Sequence, residues 1–178
     1  MNYLTTLLKQ KQSLFHTSDL ALLWNISNKN TLYTTIKRYV RNKALHRIHK
    51  GFYSTKPLVD LDPIMLGIGY VHDYAYLSTE SVLSQAGIIN QLSPTITLIS
   101  TKSINFSILD MNYIVRTMKP ELLYNEYGIE LSEKGYKVAT PERAVIDMIY
   151  YSPDFHFDNM NRVNIQQINN IKQKLNIK

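Results

Sequence analysis

Five side chains within nine residues carry the most distinctive chemistry of this chain: Tyr33, Thr34, Lys37, Arg38 and Arg41. At helical spacing they fall opposite Leu32, Ile36 and Tyr39, which recur at i, i+4 and i+7 and mark a buried face. Lysine neutralises phosphates, and arginine can bridge the O6 and N7 acceptors of guanine, so this cationic face suits a nucleic acid duplex. Lys29, Asn30 and Thr31 open the same helix, and Arg47, His49 and Lys50 follow it on an extended run. The bland alternative is a solvated basic helix face. The agreement of helix, hairpin and charge favours a polyanion contact.

The surrounding elements must hold that face in place. Ser27 or Asn28 is placed to cap the helix, because a short polar side chain accepts a bond from an otherwise unpaired backbone N–H. After the helix, Leu45 and Ile48 begin a strand, Lys50-Gly51 makes a turn, and Phe52 and Tyr53 return. Gly51 suits a turn that needs positive φ. Upstream, residues 2–11 read as a helix packing by Leu4, Leu7 and Leu8, and Phe15 enters the core. Thr17 or Ser18 caps a second helix, with Asp19 at its positive end and Leu20, Leu23 and Trp24 buried. Residues 25–29 turn into the basic helix. Three helices and a hairpin within residues 1–56 predict a winged helix-turn-helix, with the helix in the groove and the hairpin on the flanking backbone.

Charge placement supports a division at that point. Residues 1–56 hold ten of the twenty Lys/Arg and one of the fourteen acids, a net charge of +9, whereas residues 57–178 sum to −3. A polyanion-binding head joined to a near-neutral body is the natural reading. The chain has no cysteine, which excludes a disulfide scaffold or thiolate metal site and fits a cytoplasmic setting. Residues 1–10 lack a basic start followed by an apolar run, and no stretch of about 18 apolar residues appears, so neither a secretory leader nor a membrane span is expected.

The second part, residues 57–178, predicts a small mixed α/β domain with a mainly antiparallel sheet, which makes the whole chain α+β. Thr55-Lys56-Pro57 serves as the linker. Asp62-Pro63 opens a helix, with Asp at the cap and Pro in the first turn. Ser78 caps another, over residues 79–85. Residues 94–100, 104–109 and 113–118 alternate or are β-branched, and read as an antiparallel meander. Lys119 to Tyr124 make one helical turn, residues 129–131 and 136–138 are short strands, Thr140-Pro141-Glu142 starts an apolar helix, and residues 164–174 form a last amphipathic helix.

This order of features resembles the AbiEi antitoxin family of bacterial toxin–antitoxin systems. Three segments carry the resemblance: residues 31–54, ending in Leu45-x-Arg47-Ile48-x-Lys50-Gly51-x-Tyr53; residues 76–89; and residues 137–149 with Thr140, Pro141, Glu142, Arg143 and Asp147. The resemblance covers most of residues 1–151 and departs from the family in a short C-terminal region. It implies a transcriptional regulator that represses its own operon. Its partners would be double-stranded DNA, as inverted repeats in its own promoter, and a cognate toxin of nucleotidyltransferase type, with no cofactor and no catalysis.

A metal-dependent nuclease or phosphotransferase targeted by the winged helix is the competing reading. Its carboxylates would be Asp147, Glu142 and Asp154. Arg143 and Asp147 lie four apart on one helix face, and that spacing favours a structural ion pair. Asp154-x-His156-x-Asp158 alternates ligand types but is interleaved with Phe155 and Phe157 in a loop, a poor metal site. No phosphate-cradling glycine loop, nucleophile elbow or His-Glu-x-x-His helix is present. A winged helix used only for protein contact is a third reading, which the +9 segment disfavours.

Overall fold

The computed structural model describes residues 3–91 and 94–177. The chain divides into two compact units, Met1–His72 and Asp73–Lys178. The architecture is mixed α/β, with eight α-helices and two sheets among the described residues, and five of the seven strand pairings antiparallel.

The first unit runs α1 (Tyr3–Leu8), β1 (Leu14–His16), α2 (Thr17–Trp24), α3 (Lys29–Arg41), β2 (His46–His49), β3 (Phe52–Ser54) and α4 (Pro63–Val71). Its core gathers Leu7, Phe15, Leu20, Trp24, Leu32, Ile36, Tyr39, Leu45 and Tyr53. Trp24 packs against Tyr39 at 5.5 Å between ring centroids, and its indole N–H donates to the Tyr3 carbonyl at 3.1 Å. Burying an indole leaves its one donor needing a partner, and α1 supplies it. Leu8 differs from expectation: it is exposed, and Leu7 alone is fully buried from α1.

Helix α2 also starts differently. His16, not Thr17 or Ser18, is the cap residue, and Asp19 Oδ2 accepts from the His16 backbone N–H at 2.7 Å. Asn25 then takes a left-handed conformation, φ +54°, to close the helix and redirect the chain.

Strand β1 is a further finding. Three residues, Leu14 to His16, pair antiparallel with β3, giving a sheet of order β1-β3-β2. The unit also extends past residue 56, where the sequence placed the boundary. Asp62 caps α4 by accepting from the N–H groups of Ile64 and Met65 at 2.9 and 3.1 Å, as its Asp-Pro start implied. The helix lies against the small sheet. A Cβ on Gly69 would sit 2.7 Å from Leu14 Cδ1, and the Gly69 carbonyl meets His16 Nε2 at 2.8 Å. Glycine at this position in α4 is what allows the close approach.

The second unit runs β4 (Ala75–Leu77), α5 (Glu80–Gln85), β5 (Thr95–Ser100), β6 (Ile104–Ile108), β7 (Met111–Thr117), α6 (Pro120–Leu123), β8 (Ile129–Leu131), β9 (Lys137–Ala139), α7 (Pro141–Tyr151) and α8 (Ile165–Lys174). Its six strands are ordered β6-β7-β5-β4-β9-β8. The expected meander of β5, β6 and β7 does not form. β5 pairs parallel with β7, and β6 is an edge strand folded back on β7. Thr95 to Ser100 has five of its six residues buried, the pattern of a central strand rather than the rim of a meander.

Ser78 is not a helix cap. It is fully buried, and its hydroxyl donates to Asp147 Oδ2 at 2.7 Å, while α5 begins at Glu80. Thr140, by contrast, caps α7 as its sequence implies, accepting from the Arg143 N–H at 3.2 Å. Asn164 caps α8.

Candidate nucleic-acid interface

Helix α3 is positioned by its own apolar seam. Leu32, Ile36 and Tyr39 are buried, and Asn28 Oδ1 accepts from the Thr31 N–H at 3.1 Å to fix where the helix begins. A satisfied cap matters here because it sets which residues of the first turn face outward. That turn exposes Lys29, Asn30 and Thr31, and the face continues through Tyr33, Thr34, Lys37, Arg38 and Arg41, all exposed.

Two shallow depressions mark this face. One lies between α3 and β2 and is lined by Tyr33, Ile36, Lys37, Val40, Arg47 and Tyr53. It brings Arg47 of the hairpin together with Tyr33 and Lys37 of the helix, three residues singled out from sequence. The other is lined by Thr34, Lys37, Arg38, Val40 and Arg41. Lys37 borders both. Arg38 is further ordered by lying 5.3 Å from the Tyr39 ring centroid, an arrangement that holds a guanidinium in place without neutralising it.

The hairpin presents its cations through an irregular register. Arg47 pairs with Tyr53 and His49 with Phe52, so Ile48 is an extra residue in β2. Such a bulge re-aims side chains, and here both Arg47 and His49 are exposed. His49 packs edge-on against Tyr70 of α4 at 5.6 Å. Gly51 holds φ +79° at the tip beside the exposed Lys50. Lys29, Asn30 and Thr31 at the helix start, and His49 and Lys50 at the hairpin tip, lie outside both depressions.

Among the described residues, none of Lys29, Lys37, Arg38, Arg41, Arg47 or Lys50 forms an ion pair. Asp19, the one acid before residue 60, is engaged by His72 at 3.0 Å. The face is therefore cationic without internal compensation. Sequence reasoning missed Ile36, Val40 and Tyr53 as the apolar floor of the first depression, since a buried spacing reads as core alone. It also passed over Lys43, exposed at φ +58° between α3 and β2, although the run Arg41-Asn42-Lys43 continues the charge.

The carboxylates of the enzyme reading are arranged otherwise. Asp147 is fully buried. Its two oxygens accept from Arg143 Nε at 2.8 Å, Ser78 Oγ at 2.7 Å and Tyr76 OH at 3.1 Å. Burial pushes its carboxyl up, and the Arg143 guanidinium and the two hydroxyls pull the other way. Burial, with the Asp147 charge beside it, also pushes the Tyr76 phenol up. Glu142 accepts from the Asn164 N–H at 3.1 Å and Asp158 from the Asn90 N–H at 2.8 Å, each tying together segments far apart in sequence. Among the described residues, no three His, Cys, Asp or Glu side chains are grouped to hold a metal ion, and no helix is long and apolar enough to cross a membrane. Compared with known proteins, the chain matches no family model, and no curated protein is significantly similar to it.

Proposed function

We propose that residues 1–72 form a winged helix-turn-helix that binds duplex DNA, with α3 as the helix laid in the major groove and the β2–β3 hairpin as the wing. The supporting observation is the convergence of Lys37 and Tyr33 from the helix and Arg47 from the hairpin on one depression, in a face whose cations have no acid partner among the described residues. The element order helix, strand, helix, helix, hairpin, with β1 closing the small sheet, agrees with this reading. In this setting the protein is a transcriptional regulator that occupies inverted repeats in its own promoter. The resemblance to AbiEi antitoxins extends the proposal: the protein is a cytoplasmic, non-enzymatic antitoxin, and its second unit counters a nucleotidyltransferase-type toxin.

The test is binding of the full chain to duplex DNA from the region upstream of its gene. The parent is expected to bind, and the triple variant Lys37→Ala, Arg38→Ala, Arg41→Ala to lose that binding. Equal affinity of the two proteins would overturn the assignment of α3.

A further inference from the structure

Strand β6 is an edge strand, and it carries none of the devices that usually protect one. Ile104 to Ile108 reads Ile-Asn-Phe-Ser-Ile, with no charge and no proline, and its register with β7 runs without a bulge. The opposite edge of the same sheet is guarded, since β8 is three residues long and exposes Glu130. Among the described residues, β6 has β7 as its only strand neighbour.

The hairpin fixes which backbone groups of β6 face outward. Leu109 and Asp110 join β6 to β7, both at positive φ, +50° and +65°, as a type I′ turn requires. Ile108 and Met111 flank that turn as a hydrogen-bonded pair, and such pairs alternate along an antiparallel ladder. Ile104, Phe106 and Ile108 therefore spend their N–H and C=O groups on β7, whereas those of Asn105 and Ser107 point away from the sheet. The side chains alternate as well. Phe106 stacks on the buried Tyr113 at 4.7 Å and, like Ile104, stays partly uncovered at the rim, while Asn105 and Ser107 are exposed on the other face.

This edge is complementary to itself. Laid antiparallel against a second copy about Phe106, Asn105 of each strand meets Ser107 of the other, and each pair exchanges both of its N–H···O bonds. Ile104 falls opposite Ile108, and Phe106 faces its own copy at a position without hydrogen bonds, where side chains come closest. Continued past the strand ends, the same register carries Lys102 to Asp110 of the second copy. Both are exposed, and neither has an ion-pair partner among the described residues. A slip of two residues, the smallest that keeps the bonding pattern, would set Lys102 opposite Asn112 or Ile108 instead, so charge selects the register.

We propose that β6 is a self-association surface, on which two copies of this chain pair antiparallel about Phe106 into one continuous sheet. The interface is isologous and closes on itself, because each copy spends the unguarded edge of this sheet. The proposal stands on the second unit alone and does not require the reading of α3.

The test is sedimentation velocity of the full chain over a range of concentration. The parent should run as a dimer that dissociates on dilution. Ser107→Pro removes an outward N–H that β7 does not use, a change an edge strand tolerates, and should leave a monomer with the parent's melting temperature. Lys102→Glu and Asp110→Lys each set like charges opposite one another twice per dimer, and each should raise the dissociation constant roughly tenfold. Mixing the K102E and D110K chains should restore parent-like dimers, because every charge contact across the mixed pair is again between opposite signs. Should Ser107→Pro lower the melting temperature, the mixing experiment decides alone. A monomeric parent overturns the proposal, as does a dimer left intact by a stable S107P, or a mixture of K102E and D110K that associates no better than either chain by itself.

Discussion

Arg143 and Asp147, one turn apart on α7, form an ion pair at 2.8 Å in which neither side chain is more than 2% exposed. Every guanidinium nitrogen is used. Nε meets Asp147, Nη1 donates to the carbonyls of Asn125 and Tyr127, and Nη2 donates to the Leu122 carbonyl and the Tyr76 hydroxyl. The pair thus ties α7 to β4, to α6 and to the segment between α6 and β8. Removing one partner leaves an uncompensated charge in a dry interior, which costs about 3–5 kcal/mol. Asp147→Ala should therefore destabilise the second unit by about that amount in denaturant melts. The double replacement Arg143→Met, Asp147→Leu should cost less than Asp147→Ala alone. Additive losses would show that the two side chains act independently.

Gly128 should be as intolerant as the pair it touches. It holds φ +74°, and a Cβ there would lie 2.8 Å from Arg143 Cβ and 3.0 Å from Ile171 Cδ1. Left-handed backbone costs a non-glycine residue about 1–2 kcal/mol, and forced contact in a packed core adds about 1–3 kcal/mol. Gly135 is the internal control: its φ is +86°, but nothing lies within 4 Å of the position a Cβ would take. Gly128→Ala should lower the melting temperature clearly more than Gly135→Ala. Equal shifts would mean that conformation alone, not contact, sets the cost.

These particulars show what local sequence carries and what it does not. The basic helix, its Asn28 cap, the turn at Gly51 and the i, i+4 pair on α7 are all decided within a few residues, and each stands where its spacing implies. Strand β1 was not legible, because three residues have no period of their own and their partner in β3 lies 38 residues away. The parallel pairing of β5 with β7 is a choice of sheet order, to which alternation within a strand is blind. Ser78 reads as a cap by type, yet its hydroxyl is spent on Asp147, 69 residues on. The cationic face was legible from residue type and helical period, but its convergence with Arg47 on one depression depends on how the hairpin folds back.

Glu80 and Arg116 predict an acid sensitivity of known sign. Arg116 grips both Glu80 oxygens, at 2.5 and 2.6 Å, and its Nη1 also reaches Thr79 Oγ1 at 3.0 Å. Burial is the largest single influence and works against the charged carboxylate, but the Arg116 hydrogen bonds, a backbone hydrogen bond, the Arg116 charge and Thr79 together outweigh it and hold the Glu80 carboxyl below its ordinary value of 4.5. The unfolded chain therefore binds this proton first as pH falls. Stability contributed by the pair is complete above pH 4.5 and is lost as the pH drops through the lower folded-state value. The stability gap between the parent and Glu80→Gln should be largest near neutrality and shrink in acid. A gap that is constant with pH would remove the ion pair from the account.

On the proposed DNA-binding face, anchoring and reading should separate by salt. Arg41 is exposed at the last turn of α3 and has no acid partner among the described residues. Phosphate contacts are indifferent to sequence, and each one lost lowers the slope of log K against log salt by about 0.9. Asn30 is exposed in the first turn, the part of such a helix that contacts base edges. An amide there discriminates between bases but releases no counterion. Arg41→Ala should weaken specific and random duplexes alike and reduce the slope by about one unit. Asn30→Ala should leave the slope unchanged and narrow the preference for promoter DNA over random DNA. If Arg41→Ala keeps the slope while changing sequence preference, the two ends of α3 have been assigned the wrong way round.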